Sequence, residues 1–419
     1  MSPVASPIET LTPPERTLLE AARRFRHEQV APNAAAWERA RQVPRETVRD
    51  AARLGLTAIE VPQAQGGQGA GFIAKTLIAE ELARSCMAFA FSLINTQNVA
   101  SRIATQGSAA QIERYLAPLV AGERMGGTSL TEPGAGSDFP AIATTARKVA
   151  GGWVLDGEKA WLTNAATADT IMVYAKTDAA AGTEGIAAFL IDARLPGFER
   201  LPAYGLMGGH AIGAGGIRFR DLRVEDDALF YAPGQAFKRA LAGINGARTY
   251  VAAMCCGMVA EALRVALDYA TRRQAFGKRL LDHQGLRWSL VDVAAELEAA
   301  RLLTWRAAAI IQRGADAVLA AALAKKFAVE MAQRRLGQCM QAMGAEGLRE
   351  EHPIGRHIAL SRIAGYVDGT TEIQNERIGA LLERTYLATA GGTHVGIRWC
   401  SSPSGPRCNR LGGSPRSRW

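Results

Sequence analysis

The chain has 419 residues, 48% hydrophobic and 21% charged, with a formal net charge of +9. That length supports a large core, and the balance excludes an intrinsically disordered protein. The positive excess does not point to nucleic acid: five of the cations, Arg398, Arg407, Arg410, Arg416 and Arg418, fall in a Gly/Pro/Ser-rich tail without acids, expected to be disordered over 389–419.

The first residues, MSPVASPIETLTPPER, lack a basic flank followed by an apolar core, so no secretory signal is expected. No uninterrupted apolar run approaches the length of a bilayer, so no membrane insertion is expected and a cytoplasmic location follows. Cys86, Cys255, Cys256 and Cys339 sit in apolar, helix-like surroundings, and no pair has C-x-x-C spacing. The histidines are scattered, with His352 and His357 wrongly spaced for one helix face, so no metal site is expected.

Taken in chain order, residues 1–122 read as helices. Pro13, Pro14 and Glu15 open one whose Leu18, Leu19, Ala22 and Phe25 keep helical spacing, and similar patterns cover Glu46–Leu54 and Ile73–Ser85. Gln65–Gly71 (QGGQGAG) reads as a flexible loop and does not match a dinucleotide fingerprint. Over 123–233 the character turns to short β-rich runs, with strands at Trp153–Leu155, Ile171–Tyr174, Ile186–Ile191 and Ile217–Phe219 and a hairpin turn at Asp156–Gly157. Over 234–388 it is helical again: Leu286, Leu290, Val293 and Leu297 form one stripe, and Val318–Gln333 and Ile373–Leu382 follow. Helices, then an antiparallel sheet, then helices make a mainly α, α+β fold rather than a doubly wound one.

Four segments could carry chemistry, and each has a bland alternative. In Thr131–Asp138 (TEPGAGSD), Gly134 and Gly136 allow backbone N–H groups to converge on an anion, with hydroxyls from Thr131 and Ser137; a plain surface turn would look the same. In Lys159–Asn164 (KAWLTN), strand alternation places Trp161 and Thr163 on one face, where an indole and a hydroxyl could wall a planar cofactor, or simply fill a core. Arg272–Gly277 (RRQAFG), followed by His283 and Gln284, could clamp phosphate or form a solvated basic face. In Tyr366–Gln374 (YVDGTTEIQ), Asp368 stands before a glycine that permits close approach to a ligand; it could equally cap the next helix.

Together, TEPGAGSD, KAWLTN, RRQAFGKRLLDHQ and DGTTEIQNERIG, in that order, resemble the acyl-CoA dehydrogenase family over about residues 15–385. The resemblance implies an α-helical domain, a β domain and a C-terminal four-helix bundle, with FAD extended between the last two. It implies an oxidoreductase acting on the CH–CH group, which converts an acyl-CoA to its 2-enoyl form with electrons leaving to an electron-transfer flavoprotein or similar acceptor. It places Thr131, Ser137, Trp161, Thr163 and Thr370 at the cofactor, and Arg273, Phe276, Gln284 and Gln341 as residues reaching FAD from a neighbouring subunit, in a homotetramer or homodimer. Ser137, Arg248 and Gly369 would line the substrate. Asp368 would remove the α-proton while the β-hydride passes to flavin N5.

Several positions depart from the family pattern. Most members carry Glu where this chain has Asp368, whose oxygens retreat by about 1 Å, a displacement that can cost on the order of 100-fold in rate. Ala247 stands where a second group of members places its base, and Glu372 would be turned away by the helix. In Met207–Phe219 (MGGHAIGAGGIRF), His210, Ile212 and Ala214 replace Arg, Ser and Thr, and the glycines are expected to loosen the loop; Ala359 and Leu360 replace an Arg–Asp pair. These departures leave open a carrier-protein-bound or cyclic acyl thioester in a biosynthetic pathway, and a non-catalytic thioester-binding relative.

Overall fold

The computed structural model describes residues 7–387, so the expected disordered tail lies outside the described residues. The chain divides at Ile378/Gly379, and the architecture that follows is that of the part ending at Ile378.

Five helices come first: α1 (Pro13–Phe25), α2 (Ala31–Ala40), α3 (Arg45–Arg53), α4 (Phe72–Gln106) and α5 (Ala109–Val120). Prolines at the first two positions start α1, and Thr12 N–H donates to Glu15 Oε2 at 2.8 Å, closing its open end. The pattern at Ile73–Ser85 captured only part of α4. At Cys86 the backbone is extended (φ −155°, ψ 98°), so α4 is two arms folded back, close enough for Lys75 to donate to Asn98 Oδ1 at 3.2 Å. The glycine-rich loop after Val61 is tied down rather than flexible: Gln68, Gly69 and Ala70 donate to Ala58, Val61 and Ile59, and a Cβ on Gly67 would stand 2.1 Å from Val61 O.

Eight strands follow: β1 (Gly126–Ser129), β2 (Thr145–Val149), β3 (Gly152–Leu162), β4 (Thr170–Lys176), β5 (Ile186–Asp192), β6 (Phe198–Ala203), β7 (Gly215–Glu225) and β8 (Leu229–Tyr231). They form one sheet in the order β6-β7-β3-β2-β4-β5-β8, with β1 on β4. Pairing is antiparallel except that β1–β4, and one point of β2–β4, run parallel. Strand β4 is apolar on both faces because both are covered. Ile171 and Val173 pack with Phe189 and Phe219, whereas Met172 and Tyr174 pack with Tyr115 of α5 and Phe237. The expected hairpin at Asp156–Gly157 is not one. The β2–β3 turn lies at Ala150–Gly151, and Asp156–Gly157 continues β3 opposite a bulge of β7 at Arg220–Asp221, with Gly157 at φ 144° opposite Phe219.

The last part comprises α6 (Ala236–Arg272), the two-residue strands β9 (Gln274–Ala275) and β10 (Lys278–Arg279), α7 (Gln284–Gln312), α8 (Val318–Met343), α9 (Ile354–Tyr366) and α10 (Thr371–Tyr386). Although Glu261 and Arg264 interrupt its apolar run, α6 is by length and composition long and apolar enough to cross a membrane, with a mean hydropathy of 1.6 over its best window. That window is 78% buried, because α6 is the central helix against α4, α7 and α8. It crosses α4 so closely that a Cβ on Gly257 would lie 2.1 Å from Glu80 O. An ion pair, Arg84–Glu261 (3.0 Å), ties the same crossing, while Arg301–Glu80 (2.8 Å) ties α4 to α7 and Arg26–Glu81 (2.6 Å) ties it to the residues following α1.

Candidate active site

Asp368 lies in the turn between α9 and α10. It takes φ +55° and Gly369 takes φ +94°, left-handed values that Asp tolerates better than most side chains and Gly freely. A Cβ on Gly369 would stand 3.0 Å from Gln374 Nε2, so its bareness serves protein packing. The cap of α10 is Thr370, whose Oγ1 accepts from Ile373 N–H at 3.4 Å; Asp368 is therefore not the cap.

Every carbonyl of this turn is held by a side chain. Lys325 of α8 donates to Val367 O and Gly369 O, Arg248 Nε to Asp368 O at 3.2 Å, and Gln374 Nε2 to Gly369 O at 2.9 Å and Thr370 O at 3.3 Å. Arg248 also donates to Asn245 Oδ1 at 3.1 Å. The carboxyl itself is left over: Asp368 Oδ2 is buried without a hydrogen-bond partner. Burial pushes this carboxyl above the usual Asp range, against the pull of Lys325 first, then Arg248 and Arg102. Burial also lowers Lys325 to about 8. Lys325 carried no motif signal; a lysine in the Ala-rich run AALAKKFA was its only trace. Glu372 is exposed, as its helical position required.

TEPGAGSD follows β1 and makes a tight turn in which Glu132 and Ala135 exchange backbone hydrogen bonds of 2.9 and 3.1 Å. Glu132 is its anchor. It accepts from Lys159 Nζ at 2.7 Å and from Thr144 N–H at 3.0 Å. Burial raises its carboxyl, but Lys159 and these donors bring it below the ordinary value. Neither Gly134 nor Gly136 is in the left-handed region; what they supply is open space, with nothing within 4 Å of a Cβ. Thr131 is half-buried and Ser137 exposed.

KAWLTN sorts the same way into anchors and presented groups. Ala160 N–H donates to Thr131 O at 2.9 Å, joining the two motifs. Trp161 takes φ +58° within a register shift between Lys159 and Leu162, so simple alternation does not set its face or that of Thr163, just past the strand. Its indole is 62% exposed, with Tyr204 beside it at 4.5 Å between centroids. Asn164 locks the turn, donating to Ser92 O (3.1 Å) and Gly126 O (3.0 Å). Lys159, Glu132 and Asn164 were in the motifs but were not recognised as their supports.

Arg273, Phe276 and Gln284 lie at the β9–β10 hairpin and the start of α7, all exposed, Phe276 at 96%; Gln341 is exposed near the end of α8. Among the described residues no hydrogen bond or ring contact joins them to the Trp161 or Asp368 regions. The His210 loop is fastened, not loose: Glu38 accepts from His210 N–H at 3.0 Å and lies 2.9 Å from its Nδ1. Ala359 and Leu360 pack under it, where Cβ atoms on Gly208 and Gly209 would come within 2.5 Å of Ala359 Cβ and 2.9 Å of Leu360 Cδ2. No cluster of metal-ligating side chains occurs among the described residues.

With this geometry in place, three family models match in order: acyl-CoA dehydrogenase N-terminal domain over residues 12–123, middle domain over 127–222 and C-terminal domain over 234–382. The chain belongs to the acyl-CoA dehydrogenase family. It is 35% identical over 370 residues to the mitochondrial short-chain specific acyl-CoA dehydrogenase of Bos taurus, covering 88% of this chain and 90% of that protein. Its fold superposes on butyryl-CoA dehydrogenase from Megasphaera elsdenii with TM-score 0.85 at 32% identity, covering 89% and 98% of the two chains. A glutaryl-CoA dehydrogenase from Mycobacterium smegmatis in complex with FADH2 is similar at TM-score 0.83 and 26% identity, covering 89% and 95%. This acyl-CoA dehydrogenase is thus an FAD-dependent oxidoreductase acting on a CH–CH bond. The residues fit the group: an exposed indole beside an uncovered glycine turn offers a flat wall and free backbone, both braced from behind.

Proposed function

We propose that the protein desaturates a short acyl-CoA between its α- and β-carbons, with Asp368 as the base. The observation that carries this reading is the buried, unpartnered Oδ2 of Asp368 on a turn whose carbonyls are all held by Lys325, Arg248 and Gln374. Burial makes the carboxyl a stronger base than a solvated Asp, and the charges of Lys325, Arg248 and Arg102 oppose that rise. The turn presents Oδ2 without a competing donor, so a substrate Cα–H can approach it. Bound FAD supplies the acceptor for the hydride that leaves the β-carbon. Thr131, Ser137, Trp161, Thr163 and Thr370 are assigned to that cofactor, and Ser137 and Gly369 to the thioester. Arg248 serves the substrate by fixing Asp368 O.

Arg273, Phe276, Gln284 and Gln341 are assigned to a neighbouring subunit's cofactor in a homotetramer, which accounts for the exposure of the Phe276 ring. An electron-transfer flavoprotein is the assigned electron acceptor. The four buried free thiols, Cys86, Cys255, Cys256 and Cys339, suit the reducing cytoplasm.

The test is anaerobic flavin reduction by butyryl-CoA, by an acyl-carrier thioester and by a cyclic acyl-CoA, with wild type and Asp368→Ala. We expect bleaching by the short acyl-CoA, slowed at least about 100-fold in the variant with the oxidised spectrum unchanged. Wild-type rates in Asp368→Ala would remove it as the base. A yellow protein bleached by no thioester would make it a binding relative.

A further inference from the structure

One cation near Asp368 has no carboxylate partner among the described residues. Arg102, on the second arm of α4, is half-buried, and its polar contacts among those residues are Nη1 to Thr128 Oγ1 at 3.5 Å and to Met172 Sδ at 3.9 Å. Both are long, and no carboxylate among the described residues pairs with it. The fold makes room for it: a Cβ on Gly243 of α6 would stand 2.5 Å from Arg102 Nη2, so the bare helix face is what lets the guanidinium lie there.

The surroundings are polar where a plain hydrocarbon tail would want apolar walls. Asn98, one turn before Arg102 on the same face of α4, donates to Tyr250 Oη at 3.2 Å and accepts from Lys75. Lys75 differs from Arg102 because Glu60 neutralises it. Tyr250 comes from the same turn of α6 as Arg248, the residue that holds the Asp368 carbonyl. Arg102 is near enough for its charge to act on both Asp368 and Tyr250. A partly desolvated guanidinium is costly without an anion, and its fork matches a carboxylate at two points.

We propose that the acyl group oxidised here carries a carboxylate at its far end, which Arg102 pairs with while the α-carbon lies against Asp368. The inference rests on the dehydrogenase reading for the position of the α-carbon, but the anion subsite can be measured without turnover. It selects a CoA half-thioester of a short dicarboxylic acid over an unsubstituted acyl-CoA of similar length.

The test uses the FAD-loaded protein, titrated anaerobically with glutaryl-CoA and with butyryl-CoA, binding being read by calorimetry and reduction by flavin absorbance. Wild type is expected to bind glutaryl-CoA more tightly than butyryl-CoA. In Arg102→Gln the ratio of the two affinities should fall by at least about 30-fold, and Arg102→Lys should recover part of it. A wild type that prefers butyryl-CoA, or an Arg102→Gln variant that keeps the wild-type ratio while retaining its flavin, overturns the proposal. If the ratio falls as expected but neither thioester bleaches the flavin, the subsite stands and the dehydrogenase reading fails. Bleaching by butyryl-CoA with an unchanged ratio removes the subsite and leaves the dehydrogenase reading standing.

Discussion

Replacing Lys325 with Met separates positioning of the base from support of the fold. The ammonium is 1% exposed, and burial holds it at about 8 instead of 10.5, which at neutral pH costs the folded state about 3 kcal/mol. Against that stand its charge-assisted bonds to Val367 O and Gly369 O, each contributing about 1.5–3 kcal/mol. The two nearly offset, and Gly369 O keeps Gln374, so Lys325→Met should move the melting temperature by only a few degrees. Catalysis should suffer far more. With Val367 O released, the turn bearing Asp368 can shift, and a displacement near 1 Å costs on the order of 100-fold. Lys325 is also the largest charge opposing the rise of the Asp368 carboxyl. A base works above its pKa, so the acid limb of the flavin-reduction profile should move to higher pH in the variant. Stopped-flow reduction between pH 5 and 9, beside thermal melts, measures both. A variant that melts normally, reduces flavin within about threefold of wild type and keeps its acid limb would refute the positioning role.

His357 is fully buried, 2.9 Å from Arg84 O, and burial pushes it down to about 4. The unfolded chain binds a proton near 6.5 and the fold does not until about 4, so stability falls across that window by roughly 3 kcal/mol; His357→Gln should flatten melting temperature against pH there. Glu132→Gln should leave Lys159 buried and unpaired, destabilising the protein by about 3–5 kcal/mol and raising FAD loss on gel filtration; wild-type flavin retention would show that Glu132 does not brace the cofactor turn. Gly257→Ala should force α4 and α6 apart and lower stability by at least about 2 kcal/mol in urea, since its Cβ meets Glu80 O at 2.1 Å; an unchanged midpoint would contradict that crossing.

The order of elements was legible because periodicity reports burial: the stripe Leu290, Val293, Leu297 is buried as its spacing required. Element ends were less so. The pattern ending at Ser85 stopped at the reversal in α4 because the extended Cys86 interrupts the helix, and the second arm was lost since it is buried on most sides and only a narrow polar stripe, Asn95, Asn98, Arg102 and Thr105, marks its period. Asp156–Gly157 misled because the same dipeptide can sit within a strand, opposite a neighbour's bulge, as well as in a turn, and only cross-strand partners distinguish them. At the candidate site, motif wording pointed to Asp368, Trp161 and the TEPGAGSD turn, whose presented groups are local in sequence. It missed Lys325 and Arg102, which act across 42 and more residues of chain on groups that folding alone brings near. A lone cation in a helix reads as a solvated one until its partners, or the lack of them, can be seen.

The joint packing of Gly208 and Gly209 on Ala359 and Leu360 has a bearing on how this enzyme can be altered. The two segments look like separate departures from their family, yet each leaves space only the other fills. Restoring the family's Arg at 359 alone would drive its side chain into the glycine loop at Gly208, and filling the glycines alone would strike Ala359, Leu360 and Ile363. Chimeras with relatives should therefore succeed only when both stretches are exchanged together, and in nature the two stretches are expected to have changed as a pair.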